Sequence, residues 1–213
     1  GGYVTAIRAS QLGLKTAIVE KESLGGVCLN WGCIPTKALI KSAQVFEYLQ
    51  HAEDYGLKVK EYDKDFDAVV NRSRSVADTM SKGVQFLLKK NKIDVIMGYG
   101  SLLPGKKIHV KAEDGNEQEL SAQNIIIATG ARSRELPSLP QDDEKVIGYR
   151  KAMTLEKQPK KLIVVGSGAI GVEFAYFYNA MGTEVTLIEY QPRIVPVEDE
   201  EISKQMERSF KKS

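Results

Sequence analysis

The sequence predicts an α/β fold of three layers made from two similar units, and three observations carry that prediction. Residues 161 to 189 read as strand, glycine turn, helix and strand. Residues 13 to 20 repeat the end of that pattern, displaced by 169 positions so that Gly13 falls on Gly182 and Glu20 on Glu189. A seven-residue apolar run, Asn124 to Gly130, is rich in β-branched side chains and reads as a buried parallel strand ending at a ligand crevice.

In the second unit, Leu162 to Val165 is the first strand and Gly166-Ser167-Gly168-Ala169-Ile170-Gly171 the turn. An apolar helix follows as far as Gly182, and Glu184 to Ile188 is the second strand, closed by Glu189. Glycines in this spacing, with a strand before them, a helix after them and an acidic residue about 20 positions on, form the Rossmann-like dinucleotide fingerprint. Gly166 permits the tight turn, Gly168 lets a pyrophosphate approach, Gly171 lets helix and strand pack closely, and the helix N-terminus favours phosphate charge. Ala169 and Ile170 complete this phosphate-facing turn. Glu189 can accept both ribose hydroxyls, and with Arg193 the nearest arginine it favours NAD over NADP.

In the first unit Gly2 falls on Gly171, so the opening strand and first two glycines are expected upstream, about ten residues before position 1. Two such units imply two dinucleotides, and enzymes of that kind commonly pass hydride between a flavin and a nicotinamide. Ala38 to Ala52 and Phe66 to Lys90 carry apolar residues at helical spacing, Ala43, Val45, Phe46 and Leu49 in one and Val69, Val76, Met80, Val84 and Leu87 in the other. They form a long helical insertion. Strands near Asp94 to Met97, Lys107 to Lys111 and Glu117 to Leu120, with a hairpin signal at Asp114-Gly115, form a small antiparallel crossover. The prolines at 137, 140 and 159 mark 131 to 160 as a connector. The first domain is expected over residues 1–147. The second is expected to begin at 148 and to be incomplete at 213, since after Glu189 only one turn and one charged helix, Asp199 to Lys212, remain.

Thirty basic and 28 acidic side chains nearly cancel, so no basic field points to nucleic acid or anionic lipid. No apolar run approaches the ~20 residues that cross a bilayer, so a cytoplasmic location is the expectation. The only two cysteines, Cys28 and Cys33, are too few for a secreted disulfide scaffold. Pro35 suits the first turn of a helix, which places Cys33 near its N-terminus, where thiolate is favoured. Inert buried thiols and a structural disulfide compete with a redox role. Zinc would need about four ligands, and only His51 and His109 could join, so no metal is expected. Between two dinucleotide units, the pair reads best as a cycling dithiol and disulfide.

The run from Leu24 to Lys37, the Ala128-Thr129-Gly130 exit and the Gly166 to Glu173 turn resemble the flavoprotein disulfide reductase family, in its dihydrolipoyl dehydrogenase branch, over essentially all 213 residues. The resemblance implies that Cys33 lies against the flavin of FAD and that Cys28 exchanges with substrate. It implies that Lys37 sits near the flavin and pairs with Glu173, and that Glu20 holds the flavin adenosine ribose. Gly2, Lys21, Gly25, Gly26, Val27, Gly100, Ala128, Thr129 and Gly130 would line the FAD site. The implied reaction oxidises dihydrolipoamide, carried on lipoyl domains of 2-oxo acid dehydrogenase complexes or the glycine cleavage system, and reduces NAD+. A homodimer is implied, with a histidine base from a C-terminal domain of the partner subunit, so these 213 residues alone are expected not to turn over. A related NAD(P)H-dependent disulfide or mercuric reductase, or a flavin redox sensor, shares much of this pattern.

Overall fold

The computed structural model describes residues 1 to 212, which group into two compact units. The first holds Gly1–Gly32 and Ser75–Arg132. Its elements are α1 (Gly2–Gln11), β1 (Ala17–Glu20), α2 (Gly26–Trp31) and, after the latter part of helix α4 (Phe66–Lys90), β2 (Asp94–Met97) to β5. β1 and β2 pair in parallel, Ala17 opposite Asp94 and Glu20 opposite Met97. β3 (Tyr99–Leu103), β4 (Lys107–Lys111) and β5 (Glu117–Ser121) form an antiparallel meander. Ala6, Leu29, Val84, Leu88 and Ile93 form this unit's core, with Tyr3, Ile7, Ile18 and Leu24 against them.

The second unit begins with α3 (Cys33–Gln50), continues through a 3-10 turn (Ala52–Tyr55) and the start of α4, and resumes at Ser133. There α5 (Tyr149–Ala152) leads to β6 (Lys161–Val165), α6 (Ala169–Ala180), β7 (Glu184–Ile188) and α7 (Glu200–Phe210). β6 and β7 pair in parallel, Lys161 opposite Glu184 and Val165 opposite Ile188, and α6 is the crossover between them. The charged α7 starts on Asp199, whose carboxylate accepts from the Glu201 N–H. Phe66, Phe174, Phe177 and Tyr178 form an aromatic cluster on α6 and the first residue of α4. Tyr178 is fully buried, and its hydroxyl donates to the Ala152 carbonyl. Tyr178→Phe keeps the ring and strands that carbonyl, so thermal unfolding should show a loss of about 1–2 kcal/mol.

The repeat seen in the sequence is a repeat of structure. Gly13 and Gly182 both end a helix at positive φ, +86° and +89°, a conformation that glycine adopts without a Cβ clash. Leu14 N–H donates to the Ala9 carbonyl as Thr183 N–H donates to that of Tyr178.

Four details differ from expectation. Residues 124–130 are not a strand, and Ile126 and Ile127 are 67% and 68% exposed. An apolar β-branched run becomes a strand only where a neighbour supplies ladder hydrogen bonds, and no described strand pairs with it. The 94–97 strand belongs to the parallel pair rather than the crossover, whose third strand is β3, hidden in sequence because Tyr99-Gly100-Ser101 lacks a β-branched run. Gly98 separates the two at φ +151°, where a Cβ would lie 2.7 Å from the Lys111 carbonyl oxygen. The buried stripe of α4 is Val70, Ser73, Ala77, Ser81, Val84 and Leu88, while Met80 and Leu87 are exposed. Its serines bond to carbonyls, Ser73 to Val70 and Ser81 to Leu24, which makes small polar residues tolerable inside. Finally, the helix that Pro35 predicted to begin near Cys33 and the insertion helix expected from Ala38 are one continuous helix, α3, ending at Gln50; of the expected apolar face Ala43 is buried and Val45 is exposed.

Candidate functional site

Each unit carries its own candidate residues, the segment before and within α2 in the first and the start of α3 with the turn before α6 in the second. Gly25 lies at φ +111°, and a Cβ there would meet the Leu29 side chain at 2.9 Å. Buried Asn30 donates to the Leu24 and Gly26 carbonyls, at 3.1 and 3.0 Å. Ser81 donates to the Leu24 carbonyl as well, and Trp31 Nε1 donates to Glu22 at 2.8 Å. These bonds fix the segment that delivers Cys28. At Gly32 a Cβ would lie 3.1 Å from both Cys28 Cα and the Val27 carbonyl oxygen, so a side chain there would crowd the end of α2. Cys33 then opens α3, with Pro35 in its first turn.

Cys28 and Cys33 are joined in a disulfide, and both residues are exposed. That sets aside two inert buried thiols. Disulfide exchange requires an accessible sulfur, and a helix N-terminus stabilises a departing thiolate. One turn beyond Cys33, Lys37 Nζ stands 2.5 Å from Glu173 Oε1 on α6, with side-chain exposures of 66% and 26%. So exposed a pair adds under about 1 kcal/mol to stability. Tyr176, one turn further along α6, donates to Glu47 on α3. Burial, and then Glu47, push its phenol above the usual range, so it stays a neutral donor.

At the turn before α6, Gly166 lies at φ +101° and a Cβ on Gly171 would come within 1.9 Å of the Gly166 carbonyl oxygen. Around Gly168 nothing lies within 4 Å of such a Cβ. The turn is therefore tight on its inner side and open on its outer side, beside the first-turn N–H groups of Ala169, Ile170 and Gly171 that a helix leaves unpaired internally. This is the shape and donor set that a pyrophosphate fits.

Glu20 and Glu189 stand at equivalent strand ends. Glu20 accepts from the Glu22 N–H at 2.9 Å and Glu189 from the Gln191 N–H at 2.8 Å, again 169 positions apart. Glu189 also accepts from Ser167, side chain and N–H, and these donors hold its carboxyl down at about 2. Because the folded value lies below the unfolded one, the stabilisation this carboxylate contributes is full above about pH 4.5 and is lost as pH falls towards 2.

In the first unit a Cβ on Gly2 would touch Ala128 at 3.4 Å and one on Gly130, at φ +74°, would lie 3.9 Å from Val27. Gly2, Val27, Ala128 and Gly130 are thus neighbours at the start of α1, with exposed Thr129 between the last two and open space around Gly26. This cradle, too, has room that side chains would fill, as an FAD site requires. Gly100 lies in β3, where a Cβ would press at 3.1 Å on Val19, the neighbour of Glu20 in β1; Lys21 is exposed, its Nζ 5.9 Å from the Tyr99 ring centre. His51 occupies the N-cap position of the 3-10 turn without a side-chain capping bond, and His109 pairs with Glu117 across β4 and β5.

Residues 1–213 match the pyridine nucleotide-disulphide oxidoreductase family. The chain belongs to that family. Among its members, the dihydrolipoyl dehydrogenase of Zymomonas mobilis is 50% identical over 212 residues, covering 100% of this chain and 46% of the relative. That of Bacillus subtilis is 47% identical over 221 residues, with 100% and 46% covered. Among solved structures, LpdA from Mycobacterium tuberculosis superposes with a TM-score of 0.89 at 28% identity, covering 99% of this chain and 46% of that one. A flavoprotein disulfide reductase, RclA from Escherichia coli, superposes with a TM-score of 0.83 at 26% identity, covering 99% and 45%. The chain spans about half the length of the curated relatives it matches.

The sequence alone does not single out Asn30, Ser81, Glu47, Tyr176 or Ser167. Only Ser167 carried a signal, as the polar residue inside the glycine turn.

Among the described residues no group of three or more His, Cys, Asp or Glu could hold a metal ion, and no helix is long and apolar enough to cross a membrane.

Proposed function

We propose that the protein to which this chain belongs is a dihydrolipoyl dehydrogenase, oxidising dihydrolipoamide to lipoamide and reducing NAD+ to NADH. The observation that carries the reading is the exposed Cys28–Cys33 disulfide at the head of α3, one turn from the Lys37–Glu173 pair. Its support is the family and the curated relatives of that name. Residues 1–147 form the FAD-binding domain, and 148–213 begin the NAD-binding domain.

A substrate thiolate attacks Cys28 Sγ; the Cys28–Cys33 bond breaks, and Cys33 leaves as a thiolate favoured by the α3 N-terminus. The second substrate thiol then attacks the substrate sulfur of the mixed disulfide. Lipoamide departs with its ring disulfide closed, Cys28 is released, and the pair of electrons stays on the two enzyme sulfurs. Gly2, Glu20, Lys21, Gly25 to Val27, Gly100 and Ala128 to Gly130 would hold FAD, which would supply two-electron chemistry between the cysteine pair and NAD+. NAD is held by the Gly166 to Gly171 turn and by Glu189, whose charge opposes a 2′-phosphate. Lys37 presents its cation near Cys33, and Glu173 keeps that cation in place. The base that deprotonates substrate is assigned to a histidine of a partner subunit in a homodimer. The partners in the reaction are lipoyl domains of 2-oxo acid complexes or the glycine cleavage system, in a cytoplasmic setting.

The full-length protein should form NADH from dihydrolipoamide and NAD+, with NADP+ a far poorer acceptor. Reduction of glutathione disulfide by NADPH in its place would assign a different disulfide substrate to the same cysteines.

A further inference from the structure

Ser167 lies inside the glycine turn and is wholly buried, at 0% exposed. Its N–H and its hydroxyl both donate to one oxygen of Glu189, at 2.9 and 2.6 Å. The hydroxyl oxygen accepts in turn from the Val195 N–H at 3.1 Å, and the Ser167 carbonyl accepts from that same N–H. Val195 stands at φ +41°, and its own carbonyl accepts from the buried Ser203 hydroxyl at the start of α7. One serine thus ties together the turn after β6, the carboxylate after β7 and the loop leading to α7.

A glutamate side chain has three rotatable bonds and at a strand end can swing into water. Here one oxygen takes two donors from Ser167 and the other takes the Gln191 N–H, and the Tyr190 N–H also donates to the carboxylate. The rotamer is fixed and the group stays ionised throughout the neutral range.

We propose that Ser167 is a positioning residue that sets nucleotide specificity: it locks the Glu189 carboxylate, charged and in one rotamer, where the adenosine ribose of NAD meets it. This rests on the reading that the β6–α6–β7 unit binds a nicotinamide nucleotide. A locked carboxylate offers the ribose diol an acceptor without a cost in side-chain freedom and cannot retreat from a 2′-phosphate. A released one can do so.

The test is a double-mutant cycle in the full-length holoprotein, with NADH and NADPH dissociation constants read by calorimetry. Ser167→Ala should weaken NADH binding about tenfold, the loss of one hydrogen bond to a charged group, and should narrow the NADH-over-NADPH preference. Glu189→Ala should do so more strongly. If Ser167 acts through Glu189, adding Ser167→Ala to Glu189→Ala changes NADH affinity by less than about twofold, and Ser167→Thr, which keeps the hydroxyl, restores the preference. Should Ser167→Ala fail to fold, Ser167→Gly removes the same hydroxyl and takes its place in the cycle. Additive losses, or an unchanged preference in a folded hydroxyl-less variant, overturn the inference while leaving the nicotinamide reading in place. Wild-type protein that binds neither nucleotide overturns both.

Discussion

Cys33→Ser in the full-length protein should abolish dihydrolipoamide-dependent NADH formation, a loss of roughly a thousandfold or more, because without Cys33 there is no Cys28–Cys33 bond for the substrate thiolate to cleave and no disulfide to accept its electron pair. Cys28→Ser should lose as much. Folding does not explain either loss away. Both cysteines are exposed, so a serine leaves no buried cavity. The disulfide closes a loop of only six residues, whose release costs about 2 kcal/mol in the chain-entropy account. Cooperative thermal unfolding should therefore persist with a lowered midpoint, while turnover vanishes. Thiol titration gives an independent reading: wild type shows no thiol from this pair before reduction, and each variant shows one. A Cys33→Ser protein that still turned over at a tenth of the wild-type rate would remove the disulfide from the chemistry.

How much of this was legible in the sequence depends on the range of the interaction. The glycine turn, the βαβ unit and the repeat follow from local rules of backbone conformation and period, and the structure repeats them down to the hydrogen bonds of Glu20 and Glu189. The span of α4 was equally legible, since 25 residues of helical spacing leave little choice. Its buried face was not. That face runs through Ser73 and Ser81, and whether a serine can be buried depends on a carbonyl that sequence patterning does not see; for Ser81 that carbonyl belongs to Leu24, 57 positions away. The 124–130 run failed for a related reason, since strand formation is a property of a pair. The role of Ser167 is not visible from its neighbours in the motif, because its hydrogen bonds go to Val195 and Glu189, 28 and 22 positions away.

Gly171→Ala and Gly168→Ala should separate the two roles that glycines play in the turn. The Cβ of an alanine at 171 would lie 1.9 Å from the Gly166 carbonyl oxygen, a backbone atom that cannot rotate aside, so α6 would have to withdraw from the end of β6. Overpacking of this kind costs about 3 kcal/mol or more, and calorimetric unfolding should show the loss. At Gly168 the backbone, φ −65° and ψ 176°, suits any residue and the added methyl meets nothing within 4 Å, so the midpoint should hardly move. The open space there is where a pyrophosphate must come close, and the same methyl should weaken NADH binding about tenfold or more. An intact fold with intact NADH affinity in Gly168→Ala would mean that the nucleotide lies somewhere other than over this turn. A tolerated Gly171→Ala would mean that helix and strand are not packed as closely as the 1.9 Å approach requires.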